Sequence, residues 1–265
     1  MKLIKGLFPK IFIGLMILFF YFPIIYTIVF SFNSSKSLSV FEGFSFQWYE
    51  KMFRNKAMMD SIFYTIIIAL LATFISTIVG TITAIGLSRS KRLLKSIVLQ
   101  INDLPILNPD IVTAIGLLML FSFLSINKGF TTLLISHIMF CIPYVILSVS
   151  PKIRSLDPNI LDAALDLGAT PLQALIKVIV PQITSGIVAG ALIAFTMSFD
   201  DFIISYFVTG NGVNNISIMI YTMSKRINPT INALSTLIIC IITISLLLIN
   251  IVPIILDKKR KGINK

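Results

Sequence analysis

The sequence predicts an all-α integral membrane protein with six spanning helices, on three observations. Of its 265 residues, 56% are hydrophobic and 12% charged. The mean hydropathy is +0.95, and the apolar residues gather into six long, continuous runs. A surface facing water cannot be built from so few charges, so the solvent for most of the chain is lipid. An open chain in hydrocarbon satisfies its backbone groups only as helix, and about 20 residues cross a core of about 30 Å. The short alternating strands of a membrane β-barrel do not fit these unbroken Ile, Leu and Phe runs.

The first run, about 11–32, follows Lys2, Lys5 and Lys10 and imitates a signal peptide. It is too long for a signal core and no small-residue cleavage site follows, so a retained span is expected. The others fall near 61–87, 97–125, 131–150, 183–207 and 233–256, which makes residues 1–265 one membrane domain with a core at 58–256 and short tails. All 22 Lys and Arg lie outside the runs. With the N-terminus cytoplasmic, the inner segments hold fifteen of them and the outer segments seven, so both termini are expected in the cytoplasm. The net charge of +11 is scattered over these connections rather than forming a nucleic-acid footprint, and no nucleic-acid partner is expected. Cys141 and Cys240 sit inside apolar runs and His137 is the single histidine, so neither a disulfide framework nor a metal site is expected.

Three stretches break the apolar pattern. In the first outer loop, Trp48 and Tyr49 read either as an interfacial aromatic anchor or as a cation–π contact for an ammonium ligand. In the third run, Asn102, Asp103, Pro105, Asn108, Pro109 and Asp110 interrupt the helix. Proline removes donors and frees carbonyls, which beside a carboxylate suits a cation; a plain kink is the other reading. In the fifth run, Gly186, Gly190 and Ala194 form a small-residue stripe for close packing, followed by adjacent Asp200 and Asp201. Asp200 lies roughly 26 Å along the helix from Ile183, in the outer half of the span. An Asp in the apolar core costs about 2.5–3.5 kcal/mol, and no Lys or Arg is at hand to offset it. Protonation, a partner subunit, pore water and a cationic substrate all remain open.

The loop at 151–181, between the fourth and fifth runs, is amphipathic. Leu161, Ala164, Leu165 and Gly168 share one side, and Asp162 and Asp166 another. Gly168 and Pro171 end one short helix, and Leu172, Leu175, Ile176 and Ile179 begin a second, forming a compact knob suited to a groove in a partner. Within it, Asp162-Ala163-Ala164, three residues, Gly168, nine residues, then Val178-Ile179-Val180-Pro181 resembles the signature loop of type I ABC importer permeases. That family's pattern is Glu-Ala-Ala, three residues, Gly, nine residues, Ile-x-Leu-Pro. Asp replaces Glu at 162 and Val stands at 178 and 180, keeping charge and apolar character.

The resemblance implies a coupling helix that seats in a cytoplasmic ATPase and carries Asp162, Ala163, Ala164, Asp166, Gly168 and Pro181 as its contacts. The run Ser198 to Gly210, with Asn108-Pro109-Asp110 earlier, is similar to the second permease subunit of spermidine/putrescine importers. This implies a six-helix permease fold in the bacterial inner membrane, a second homologous permease, an ATPase dimer and an extracytoplasmic polyamine-binding protein. It also implies a substrate path through Asp110, Asp200, Asp201 and Trp48. No Gly-Lys dipeptide occurs in the chain, so no P-loop is possible. ATP and Mg are expected on the ATPase, with no cofactor and no catalysis on this polypeptide. Importers of iron, amino acids, sulfate or sugars are alternatives within the family. An ion-coupled secondary transporter is the alternative outside it.

Overall fold

The structure is a computed structural model that describes residues 2–210, 212–224, 228–244 and 247, with side chains omitted for 2–8. Lys225, Arg226, the tail from Lys258 to Lys265 and the end of the last predicted span lie outside the described residues, as do the side chains of Lys2 and Lys5. The helices are α1 (Lys2–Ser31), α2 (Gln47–Arg54), α3 (Lys56–Arg89), α4 (Arg92–Leu107), α5 (Asp110–Phe123) and α6 (Phe130–Arg154). They continue as α7 (Ile160–Asp166), α8 (Pro171–Ala174), α9 (Val180–Asp200), α10 (Ile203–Val208), α11 (Ile216–Ser224) and α12 (Thr230–Ile244). Among the described residues the only β pairing is an isolated bridge between Asn33 and Phe44.

Among the described residues, four helical stretches are long and apolar enough to cross a membrane: Pro9–Ser31, Lys56–Arg89, Phe130–Arg154 and Pro171–Asp200. The third predicted run is not one rod. It divides into α4 and α5, which meet at 109°, and the corner falls at Asn108–Pro109 because a residue before proline is driven out of the α region. The fifth run is also shorter than predicted: α9 stops at Asp200, and Asp201 takes an extended conformation (φ −64°, ψ 127°) before α10. The sixth run is helical over 230–244.

Where the sequence suggests one domain, the chain groups into two compact units, residues 1–59 with 220–265 and residues 60–219. In the first, the most apolar stretch of α1 has no buried residue; a helix apolar on every side requires lipid or another subunit around it. The loop after α1 is organised by Asn33, whose Nδ2 donates to Ser37 O (2.9 Å) and Val40 O (2.8 Å) while its Oδ1 accepts from Glu42 N (3.0 Å).

In the second unit α6 is the central element. Its residues Leu133, Phe140, Cys141, Val145, Ile146 and Val149 are buried, with α9 packed along it. The predicted stripe makes this contact: a Cβ at Gly190 would lie 3.2 Å from Val145 Cα, and one at Gly186 would lie 3.2 Å from Ser148 O. On α3, a Cβ at Gly80 would fall 2.8 Å from Val145 Cβ, so α6 is held closely by two neighbours. Gly190→Leu should therefore destabilise the chain by about 1–3 kcal/mol through overpacking. A lowered thermal midpoint in detergent checks it, with Gly116→Leu, at a site with no atom within 4 Å, expected to leave the midpoint unchanged.

Candidate functional site

The amphipathic loop forms the predicted pair of short helices, and its turn is built from two capping devices. Gly168 (φ +85°) donates its N–H to Leu165 O (2.9 Å), and Ala169 N donates to Ala164 O (3.1 Å). These are the two bonds of a Schellman motif, which requires a left-handed residue at Gly168. Two residues later Thr170 and Gln173 form a reciprocal capping box: Gln173 N donates to Thr170 Oγ1 (3.3 Å) and Thr170 N to Gln173 Oε1 (3.0 Å). Pro171 takes the first helical position, where no donor is needed. Helix α8 then widens into a π turn at Leu175–Ile179. The widening directly precedes Pro181, whose ring would crowd the carbonyl of Lys177 in a regular α-helix.

This knob is open. Leu167 is 89% exposed and Leu172 65%, and Asp162, Ala163, Asp166, Gly168 and Pro181 are exposed too. Ala164 differs from the other predicted contact residues. It is buried, and holds α7 against its own chain. The predicted apolar side is divided likewise: Leu161 and Leu175 turn inward to a cleft beneath the loop, while Leu165 and Leu172 point out.

The two adjacent carboxylates have different environments. Asp200, the last residue of α9, is exposed and among the described residues has no hydrogen bond or ion pair. Asp201 is buried and fully engaged. Its Oδ2 accepts from Ser205 N (2.7 Å) and Ser205 Oγ (2.7 Å), and its Oδ1 accepts from Ile204 N (3.2 Å). It thus caps the first turn of α10, where the helix dipole favours a negative charge.

Asp201 also faces an imidazole. His137 on α6 places Nε2 3.5 Å from Asp201 Oδ2 and 3.0 Å from Ser205 Oγ, with Nδ1 2.6 Å from Ser198 Oγ. Ser205 spends its proton on Asp201, so its oxygen must accept from His137, which assigns Nε2 as the protonated nitrogen. Asn215 closes the network by donating to Ser205 Oγ (2.7 Å) and Asp201 O (2.8 Å). Its Oδ1 accepts from Ile218 N (2.9 Å) at the start of α11, and Ile216 N donates to Thr65 Oγ1 (2.8 Å) on α3.

The expectation that Asp201 lacks an internal partner is thus corrected. No Lys or Arg lies within the spans, and the partners are instead a histidine from α6 and the hydroxyl and backbone of the following turn. His137, Ser198, Ser205 and Asn215 were missed for this reason. The one local signal was Asp201 three and four residues ahead of Ile204 and Ser205, the spacing of a helix cap.

Asp110 begins α5 and is exposed, and among the described residues it makes no hydrogen bond or ion pair with Asp200 or Asp201. Helix α10 packs against both α5 and α6. Trp48 lies within the closed first loop. It is 4% exposed, its Nε1 donates to Asn33 O (2.7 Å), and Lys51 Nζ lies 4.3 Å from its ring centroid. The ring is closed into the loop and meets an ammonium of its own chain. Trp48→Phe should cost about 1 kcal/mol by removing the indole bond while leaving substrate affinity unchanged, as a melting curve and an uptake titration would read.

Residues 76–261 match the family described as binding-protein-dependent transport system inner membrane component. The chain belongs to that family. The permease is 36% identical over 245 residues to the spermidine/putrescine transport system permease protein PotC of Escherichia coli (strain K12), covering 92% of each chain. It is 37% identical over 230 residues to the putrescine transport system permease protein PotI of the same organism, covering 83% of this chain and 82% of that one.

Among solved structures it matches a bacterial ABC transporter involved in the import of the acidic polysaccharide alginate. The TM-score is 0.71 and the identity 16%, over 94% of this permease and 95% of that chain. It also matches an amino acid ABC transporter, with TM-score 0.55 and 18% identity, over 76% and 95% of the two chains. These two likenesses concern the fold. The permease is a multi-pass inner-membrane component of an ABC importer, with the all-helical architecture of a type I permease.

Proposed function

We propose that this permease is one of two homologous membrane subunits of an ATP-driven importer for polyamines of the spermidine and putrescine class. The observation that carries the substrate class is the 36% identity to PotC along 92% of the chain. Residues 1–265 serve as one transport domain with both termini in the cytoplasm. An extracytoplasmic binding protein delivers the polyamine, and a separate ATPase dimer holds ATP and Mg and performs the hydrolysis.

The loop at 151–181 is the coupling element. Its acidic and apolar outer face, Asp162, Ala163, Asp166 and Leu167, offers charge and hydrophobic contact to a groove, and Gly168 and Pro181 fix its shape. In the path, Asp200 supplies an open carboxylate, and Asp110 a second at the broken third span. A substrate ammonium at 4 Å from a carboxylate gains about 4 kcal/mol at an effective dielectric of 20, comparable with the cost of keeping that carboxylate within the span. Asp201 acts one step back, shaping the break that leaves Asp200 free. Transport proceeds by alternating access as the ATPase moves the loop.

The test is ATP-dependent uptake of labelled spermidine after reconstitution with the partner permease and the ATPase. Excess spermidine or putrescine should compete, and sulfate, amino acids and sugars should not. Uptake without nucleotide would point instead to an ion-coupled carrier, and indifference to both polyamines would defeat the substrate assignment.

A further inference from the structure

We propose that the cleft between the 151–181 loop and the ends of α3, α4 and α6 binds an anionic phospholipid. The cleft measures about 580 Å³. Arg89 enters it from the last turn of α3, Lys95 from the start of α4 and Arg154 from the last turn of α6. Among the described residues, none of these three side chains makes an ion pair or a hydrogen bond.

The two carboxylates in the lining have local roles. Asp157 Oδ1 accepts from Asn159 N (2.9 Å), and Asp162 lies in the first turn of α7, where the helix dipole favours it. Three cations from three different helices therefore converge on one cavity against two locally engaged carboxylates, which leaves its lining with a net positive charge. Each stands just beyond an apolar run, at the level of the phosphate headgroups.

Apart from Ser88 the remainder of the cleft is apolar, with Ile85, Ile153 and Leu161 among its lining. A smaller cavity of about 20 Å³ shares Lys95, Arg154 and Ile153 and adds Ala84, Leu87 and Leu99, extending the apolar surface along α3 and α4. A free anion would use the cations and leave this surface bare. A phospholipid matches both, its phosphate among the cations and its acyl chain against the apolar lining, as basic pockets between spans do for acidic lipids. A lipid in this position fills the space beneath the loop and supports the knob from the membrane side.

The experiment uses the full-length chain purified in detergent, with retained lipid counted by native mass spectrometry after exchange into mixed phosphatidylglycerol and phosphatidylcholine. Selective retention of phosphatidylglycerol is expected. The pair Arg154→Gln with Lys95→Gln should reduce that retention by about fivefold for each charge removed. The pair Lys91→Gln with Arg92→Gln removes the same charge from the adjoining turn outside the cleft and should leave retention intact. Arg154→Gln by itself, altering an exposed side chain, gives the same reading if the double variant folds poorly. Unchanged retention in the cleft variants overturns the proposal. So does an equal loss in both pairs, which would mean diffuse attraction to the surface, or displacement by inorganic phosphate, which would mean a bare anion site.

Discussion

Gly168→Val abolishes ATP-dependent transport while the chain still reaches the membrane: that is the expected result with the largest functional effect. At φ +85° an ordinary residue pays about 1–2 kcal/mol, and a β-branched one is a sharper outlier. Helix α7 has only seven residues, far below the length at which a helix holds by itself. Its end depends on the two Schellman bonds that the left-handed residue permits, so relaxing residue 168 turns Leu167 and the acidic face away from their present positions. Gly168→Asn, which tolerates this conformation, should retain much of the activity. Uptake into vesicles, co-purification of the ATPase and the membrane content of each variant provide the measurement. Wild-type uptake by Gly168→Val would mean that the shape of the loop transmits nothing.

The second large effect separates the adjacent aspartates. Asp201→Ala removes the acceptor for Ile204 N, Ser205 N and Ser205 Oγ and leaves His137 facing an apolar gap. Each buried donor left unpaired costs about 1–3 kcal/mol, so a loss of at least about 3 kcal/mol is expected. It should read as a large fall in thermal midpoint and reduced folded protein. Asp201→Asn keeps one acceptor oxygen and should fall between. Asp200→Asn touches no hydrogen bond among the described residues and should leave the midpoint unchanged, yet reduce spermidine uptake about tenfold or more by removing the charge proposed to meet the substrate. The opposite pattern, with Asp200→Asn transporting normally and Asp201→Asn melting normally but failing to transport, would exchange the two roles.

The contrast between these neighbours shows how far one sequence can be read. Gly186, Gly190 and Ala194 were legible as a packing stripe because small residues at four-residue steps lie on one helical face whatever surrounds them. The knob was legible for a similar reason: its helix ends are set by residues a few positions apart, Gly168 at the left-handed cap and Pro171 after it. The corner at Asn108–Pro109 was legible as a break, since proline acts on its immediate neighbour, but its 109° angle was not, because tertiary packing decides where the second half points. The surroundings of Trp48 were not legible, because its partners, Asn33 and Lys51, meet it only when the loop closes.

The sequence by itself determined the solvent of this protein, its helical class, the apolar runs that form its spans, the two-helix knob at 151–181 and the family to which it belongs. The first three follow from composition and periodicity, the knob from short spacing, and the family from the resemblance of residues 162–181 to its signature loop. Only the tertiary structure decided which aspartate is free. Asp201 finds His137 at a sequence separation of 64 residues, and Asn215 joins them through Ser205. In a low-dielectric interior a carboxylate is held by whichever donors the fold brings within about 3 Å, and that proximity arises from the packing of α6, α9 and α10 rather than from any local pattern along the chain.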